Sequence, residues 1–476
     1  MNLPKPGRGF WFVLSLALAL RLGLVWYFTT TLGREGFLMG DSHSYWTLAR
    51  QIADGEAYEY GWEHARCFRM PGFPALLSVL HFFHPQTPPL WMPRVLIAVL
   101  GTLSVGLTMI LARMTVGQRA AIWAGIGAAI FPELLISSVL VLSEAAFVPL
   151  MLGQLILLVV TLRATSTSGQ CAAGTLSGLL ASISILVRPS WALALPFLAL
   201  AILFGNRVRE TESGDSDLSA ISFKSRTLAA VFFVLAFAIP LTPWWIRNYD
   251  LYGHFVPTTL QTGASLYDGL NARATGSSDM SSIDRIRLEY LREQAHIHLT
   301  PPRALFWSDQ LPLNARIPNY WDRMKPQVSP LWTEIQEASP SVPPFEYAFD
   351  KHLGKLATDW AQDNPSEATR LAWEKILKVW SPWPSSNWDA YPRVRWVLGV
   401  ALVMLAMMAS LGAWRGRKQW RDAWVLIFPA LYFTLLHAVF VGSIRYREPA
   451  LYGLIILAAL ALASGSKRLS LGKAEG

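Results

Sequence analysis

The chain has 476 residues, 53% of them hydrophobic and 15% charged, with a formal charge of +9. A soluble domain is about 25% charged, so charge is scarce here, and the long uncharged runs exclude a soluble nucleic-acid binder despite the basic balance. Two cysteines, Cys67 and Cys171, exclude a disulfide scaffold and a cysteine-rich metal site.

A helix needs about 20 mostly apolar residues to cross a bilayer. In chain order, runs of that kind fill 10–30, 91–112, 119–142, 143–162, 171–205, 226–246, 394–413, 422–441 and 448–464. The run 171–205 is read as two crossings broken at Arg188-Pro189, because proline ends a helix and the arginine needs water. The run 119–142 carries Pro132-Glu133 and is read as one crossing followed by a short re-entrant piece. The expectation is an all-α polytopic membrane protein with about ten spans. The first run lacks a small-residue cleavage site and reads as an anchor.

Short-loop lysines and arginines set the orientation. With the N-terminus inside, one face collects Lys5, Arg8, Arg113, Arg119, Arg163, four basic residues in 206–226, four in 415–421, and Lys467, Arg468 and Lys473. That is 16 basic residues against six acidic ones. An even number of spans returns the C-terminus to the same side. The expected protein is therefore multi-pass in the plasma (inner) membrane, with both termini cytoplasmic.

Two long segments then fall outside. Residues 31–90 form a first exterior loop within a transmembrane core spanning 1–246. Residues 247–392 hold 14 of the 30 prolines and 17 of the 32 acidic residues, which rules out lipid-exposed helix and predicts an exterior domain of short helices. Residues 393–476 supply the last spans and a cytoplasmic tail. Helical apolar spacing marks 282–299 and 366–380, the latter with Ser366 as N-cap. Residues 206–222 read as a flexible cytoplasmic loop. No internal repeat is evident, whereas transporters often show one.

Charged residues at or near membrane depth are functional candidates by default. Arg69, Arg188, Arg247, Arg445 and Arg447 lie on the face that the positive-inside bias disfavours. Arginine suits phosphate because its planar fork donates two parallel hydrogen bonds; the competing reading is snorkelling toward lipid headgroups. Asp41 and Glu144 are carboxylates near the same boundary. Either can serve as a general base toward a hydroxyl or as a helix N-cap.

The run Gly40-Asp41-Ser42 with Tyr45 and Ala49, followed by Arg69-Met70-Pro71-Gly72-Phe73-Pro74, resembles the first exterior loop of GT-C glycosyltransferases. The resemblance is to the bacterial, family 39-like branch similar to protein O-mannosyltransferases and lipid A aminoarabinose transferases. Further matches follow in order: Leu142-Ser143-Glu144, Arg188-Pro189, 243–249 with Gly253, Gly263 to Asn271, Asn364-Pro365 with Lys375, 380–382, and Arg445-Tyr446-Arg447. Each is short, and the ordered set spans 40–447. The chain departs from the pattern at Asp41-Ser42, where many members carry a second acidic residue, and in its modest exterior domain. The resemblance thus extends to a class of donor and not to one sugar or acceptor.

It implies a transferase using a polyprenyl-phosphate-linked sugar and a glycan, lipid or protein acceptor. Asp41 would activate the acceptor hydroxyl and Arg69 would contact the lipid phosphate. Arg247, Arg445 and Arg447 are further phosphate candidates. Glu144, Tyr45, His43 and Arg188 are candidates for sugar or acceptor contacts or for support. Trp46, Tyr58 and Trp62 could stack on sugar rings, or belong to the interfacial aromatic belt. His296-x-His298 and His81-x-x-His84 offer two ligands each, short of the three or four that a metal site takes. No cofactor requirement is visible, and a divalent-metal requirement stays open. Mid-span Arg21 is expected to be buried against a polar group of another helix. Two other classes remain as alternatives: a transporter or flippase of a lipid-linked anionic glycan, and a non-catalytic envelope assembly protein.

Overall fold

The computed structural model describes residues 7–31, 37, 40–61, 65–84, 88–205, 222–299, 331–383, 392–417 and 420–471. Met39, Trp62 and nearly all of the 206–222 loop lie outside them. The first half runs α1 (Arg8–Thr31), α2 (Gly40–Asp54), α3 (Gly72–Phe83), α4 (Trp91–Thr115), α5 (Gln118–Ile130), α6 (Pro132–Ser137), α7 (Glu144–Arg163) and α8 (Thr167–Val187). A 3-10 turn, Pro189–Ala194, leads into α9 (Leu195–Phe204) and α10 (Phe223–Tyr252). The second half runs α11 (Thr262–Gly269), α12 (Ser281–His298), α13 (331–338), α14 (Phe345–Asp363), α15 (Pro365–Val379), α16 (Pro392–Arg415) and α17 (Trp420–Val439). A second 3-10 turn, Ile444–Arg447, opens α18 (Glu448–Leu471). Among the described residues there is no strand, only an isolated bridge between Tyr60 and Ala65.

Seven of the described helices are long and apolar enough to cross a membrane: α1, α4, α7, α8, α10, α16 and the stretch Ile444–Ala463. Shorter apolar helices are α3, the stretch Pro189–Phe204, and Ala423–Val439 within α17. The chain is an all-α, multi-pass membrane protein. The run 119–142 divides at the expected Pro132-Glu133 into α5 and α6, of 13 and 6 residues, because Pro132 has no N–H to continue the ladder. One detail differs from the sequence expectation. The helix expected at 366–380 begins at Pro365 with Asn364 in the cap position, not Ser366, in keeping with proline's preference for the first helical position.

The membrane core is built on α4, α5, α7, α8, α10 and α18, packed pairwise as α8 on α7 and α10, α4 on α5 and α7, and α18 on α5 and α16. A second, smaller core joins α12, α13 and α14 through Ile286, Tyr290, Leu291, Trp332, Ile335, Phe349 and Leu353. Arg21, fully buried, donates to the Ala128 and Ala129 carbonyls at 3.2 and 3.5 Å. These belong to the last turn of α5, whose carbonyls have no intrahelical partner, so the polar group expected opposite Arg21 is backbone.

Two glycines bring the segments that carry the site into contact. A Cβ on Gly72 would stand 2.7 Å from the Leu186 carbonyl, so only glycine lets the start of α3 close on the last turn of α8. A Cβ on Gly263 would overlap the Asp350 carbonyl, and here α11 packs against α14. Lys375, fully buried, donates to the Val439 carbonyl at 2.7 Å. This fixes α15 against the end of α17; burial pulls the Lys375 ammonium down to about 8, with Asp268 opposing.

Candidate active site

Five charged side chains from five segments converge at one end of the bundle. Asp41 stands in the first turn of α2, Arg69 in the bend before α3, Glu144 at the first residue of α7, and Arg188 at the end of α8. Arg445 lies in the 3-10 turn before α18. Arg69 Nη2 donates to Asp41 Oδ1 at 2.6 Å, and Arg445 Nη2 donates to Asp41 Oδ2 at 2.8 Å. Arg445 Nε and Arg188 Nη1 form ion pairs with the same oxygen, Glu144 Oε1, at 2.9 and 2.8 Å. The result is one alternating chain: Arg69, Asp41, Arg445, Glu144, Arg188.

Exposure peaks at Asp41 and is least at Glu144: the Asp41 side chain is 31% exposed and Arg445 23%, whereas Glu144 is 3% exposed. Three guanidiniums face two carboxylates, so the group carries a formal charge of +1 as an ionised set. Burial works to raise the Asp41 carboxyl, and the Arg69 and Arg445 guanidiniums more than offset it, holding the group at about 2. Asp41 is therefore ionised at neutral pH. Among the described residues its carboxylate accepts from these two arginines and not from amides of its own helix, so the capping alternative does not describe it.

The arginines are held from several sides. Arg69 also donates from Nε to Ser44 Oγ at 3.3 Å and from Nη1 to Gln261 Oε1 at 3.2 Å, and its guanidinium lies 5.1 Å above the Tyr45 ring. The Tyr45 hydroxyl donates to Ser143 Oγ at 3.2 Å, and Ser143 donates to Glu144 Oε2 at 3.4 Å. Tyr446 stands under Arg445 and Arg188, with centroid distances of 5.5 and 5.7 Å, and stacks on the His437 ring.

The backbone around Arg69 is tied to the second half of the chain. Glu346, in the first turn of α14, accepts from the backbone N–H of Arg66 at 2.8 Å and of Cys67 at 3.0 Å. It also accepts from the Tyr252 hydroxyl. The Leu260 N–H donates to the Cys67 carbonyl at 2.9 Å. Tyr58 donates to the carbonyls of Arg69 and Met70. Asp350 accepts from the Gly263 N–H at 2.7 Å, steadying α11 beside Gln261; burial raises this carboxyl to about 6 against that hydrogen bond.

The structure thus joins Asp41, Arg69, Glu144, Arg188, Arg445 and Tyr45 and leaves other candidates apart. Arg247 sits over Trp244 and Tyr58, at 4.8 and 5.5 Å, and donates to the Tyr58 carbonyl at 3.4 Å. Its hydrogen bond to the Arg69 loop, among the described residues, is the one to Tyr58. His43 is exposed and meets the edge of Phe37. Trp46 packs on His81. Arg447, grouped with Arg445 on sequence, turns the other way. It is fully buried, grips Glu133 from Nε and Nη2, and donates to the Val379 and Ser381 carbonyls. Every nitrogen of that guanidinium is engaged by protein. Glu346, Gln261 and Ser143 were not legible as site residues; an acid at a helix start reads as a partner of the helix dipole.

Among the described residues, no three His, Cys, Asp or Glu side chains gather as a metal site. Cys67 and Cys171 are both free.

No protein-family model and no curated protein sequence matches the chain. Among solved structures it is similar to the archaeal oligosaccharyltransferase AglB from Archaeoglobus fulgidus, in complex with an inhibitory peptide and a dolichol-phosphate. The TM-score is 0.55 and the identity 15%, over 98% of this chain and 51% of that one. The apo form of the same enzyme gives 0.55 and 16% over the same shares. ArnT from Cupriavidus metallidurans bound to undecaprenyl phosphate gives 0.38 and 15%, over 98% and 79%. The chain spans about half the length of AglB. The likeness is one of fold: at 15–16% identity the chain shares the membrane-helix arrangement of the part of AglB that it covers.

Proposed function

We propose that this protein is a membrane glycosyltransferase that moves a sugar from a polyprenyl-phosphate-linked donor to an acceptor hydroxyl. Transfer would take place at the exterior face of the inner membrane. The observation that carries this reading is the Arg69–Asp41–Arg445–Glu144–Arg188 chain, with its formal charge of +1, at one end of a GT-C bundle. A sugar phosphodiester carries one negative charge and complements that excess. Both neighbouring structures named above with a bound lipid hold a polyprenyl-type phosphate, dolichol-phosphate in AglB and undecaprenyl phosphate in ArnT.

In the reaction, a lone pair of the acceptor oxygen forms the new bond to the anomeric carbon as the bond from that carbon to the phosphate oxygen breaks. The bonding pair leaves on the phosphate, whose charge grows toward −2, and the acceptor proton passes to Asp41. Fixed guanidiniums stabilise charge that develops on the leaving group, which assigns that role to Arg69 and Arg445. Glu144 and Arg188 hold Arg445 in place, and Arg247 stands ready at the margin. A single direct displacement inverts the anomeric centre.

The test has two arms. Mass spectrometry of envelope lipids, glycans and proteins with and without the gene should reveal one product carrying one added sugar, lost without the gene. In nanodiscs, with the matching polyprenyl-phosphate sugar, Asp41→Asn and Arg69→Ala should each abolish release of polyprenyl phosphate. Retention of transfer by both variants would remove these residues from the site.

A further inference from the structure

We infer that Asp41 is the built-in counter-ion of the donor phosphate's own binding site: the phosphate takes over the two guanidiniums that hold Asp41 in the structure, and this exchange frees the carboxylate to accept the acceptor's proton. The inference rests on the glycosyltransferase reading above and assigns a binding order within it.

The geometry is asymmetric in a way that permits the exchange. Arg69 keeps Ser44, Gln261 and the Tyr45 ring whether or not it keeps Asp41. Arg445 keeps Glu144 and the Tyr446 ring. Neither guanidinium depends on Asp41 for its place. Asp41, by contrast, has only these two arginines as partners for its carboxylate among the described residues, and it is the most exposed member of the chain. Arg69 and Arg445 each present Nη2 to it, so one anion bridges two forks. A phosphate has the oxygens to bridge the same pair with charge-assisted hydrogen bonds.

The exchange also resolves a chemical conflict. A carboxylate clamped between two guanidiniums is a poor proton acceptor, since basicity follows the ease of protonation. Phosphate on the arginines takes the hydrogen bonds they donate to Asp41 and adds one negative charge beside it, and both changes raise the basicity of Asp41 when donor is bound. The protein would then couple base activation to donor occupancy, which disfavours proton abstraction from an acceptor with no sugar to receive.

The sign of one binding measurement decides this. The probe is a short-chain polyprenyl phosphate titrated in detergent micelles into the purified full-length chain. If Asp41 competes for the arginines, Asp41→Asn and Asp41→Ser both bind the probe about ten-fold tighter than wild type, while Asp41→Glu, which keeps the charge, does not. Unchanged or weaker binding by the two neutral variants, with melting midpoints showing them folded, overturns the exchange. Arg69→Ala and Arg445→Ala report on the underlying reading separately. Both should weaken binding, and if neither does, the lipid phosphate does not bind here and the glycosyltransferase assignment of the site fails with it.

Discussion

Two arginine–carboxylate systems take arginines only two positions apart, Arg445 and Arg447, and pair them differently. At Arg447 and Glu133 the pairing is closed: the arginine is fully buried, grips the carboxylate from two nitrogens, and spends its third on two backbone carbonyls. The contact ties α6, the end of α15 and the start of α18 together. At Asp41 the pairing is open: one carboxylate is shared by two arginines, the set carries an excess positive charge, and the side chains are 15 to 31% exposed. In the proposed reading, charge balance and exposure, more than the presence of arginine, separate an architectural ion pair from a site for an anion.

The comparison can be broken at either end. The largest expected effect is on turnover: Asp41→Asn should lower it by about 10²–10⁴-fold, the range removed with a general base, as measured by polyprenyl phosphate release. Arg447→Ala should instead act on stability, costing about 3–5 kcal/mol by leaving Glu133 as an unpaired buried charge. Thermal unfolding in detergent reads this, and the molecules that remain folded should turn over nearly as wild type. An Arg447→Ala protein that is stable but inactive would erase the distinction. Glu346→Ala touches no reacting group and should raise the donor KM about ten-fold with kcat little changed. The magnitude corresponds to about 1.4 kcal/mol, within the range for a lost charge-assisted hydrogen bond to backbone. Glu346→Gln, which keeps a carbonyl acceptor, should recover part of it.

The smallest effect is on pH. The Asp41 carboxyl is depressed from 3.8 to about 2, so its pairing stabilises the fold above pH 3.8 and is lost as the pH falls through 2. The difference in melting midpoint between wild type and Asp41→Asn should narrow between pH 5 and pH 2. A difference constant over that window would mean that the Asp41 charge does not carry it.

Much of the site was legible because a charge near the membrane boundary is costly and therefore stands out in an apolar sequence. Asp41, Arg69, Glu144, Arg188 and Arg445 are all visible on that ground. Arg447 was equally visible and was grouped with Arg445, since the two differ by two positions. They occupy a 3-10 turn, in which each residue advances about 120°, so positions i and i+2 are rotated by about 240° and point about 120° apart. One reaches Asp41 and the other Glu133. Glu133 read only as part of a break in a span, and Glu346 as one acid among many, because neither residue's partners are near it in the chain.

The amino-acid sequence by itself determined the class: apolar runs of bilayer length, sparse charge, and arginines left on the disfavoured face. Hydrophobic length and charge cost act locally, so they can be read locally. Tertiary structure alone decided which charges meet. Asp41 and Arg445 are 404 positions apart, and their contact needs the first turn of α2 and the 3-10 turn before α18 to meet beside the start of α7. An ion pair depends on ångströms of separation, and those are set by the packing of five distant segments, none of which specifies the others.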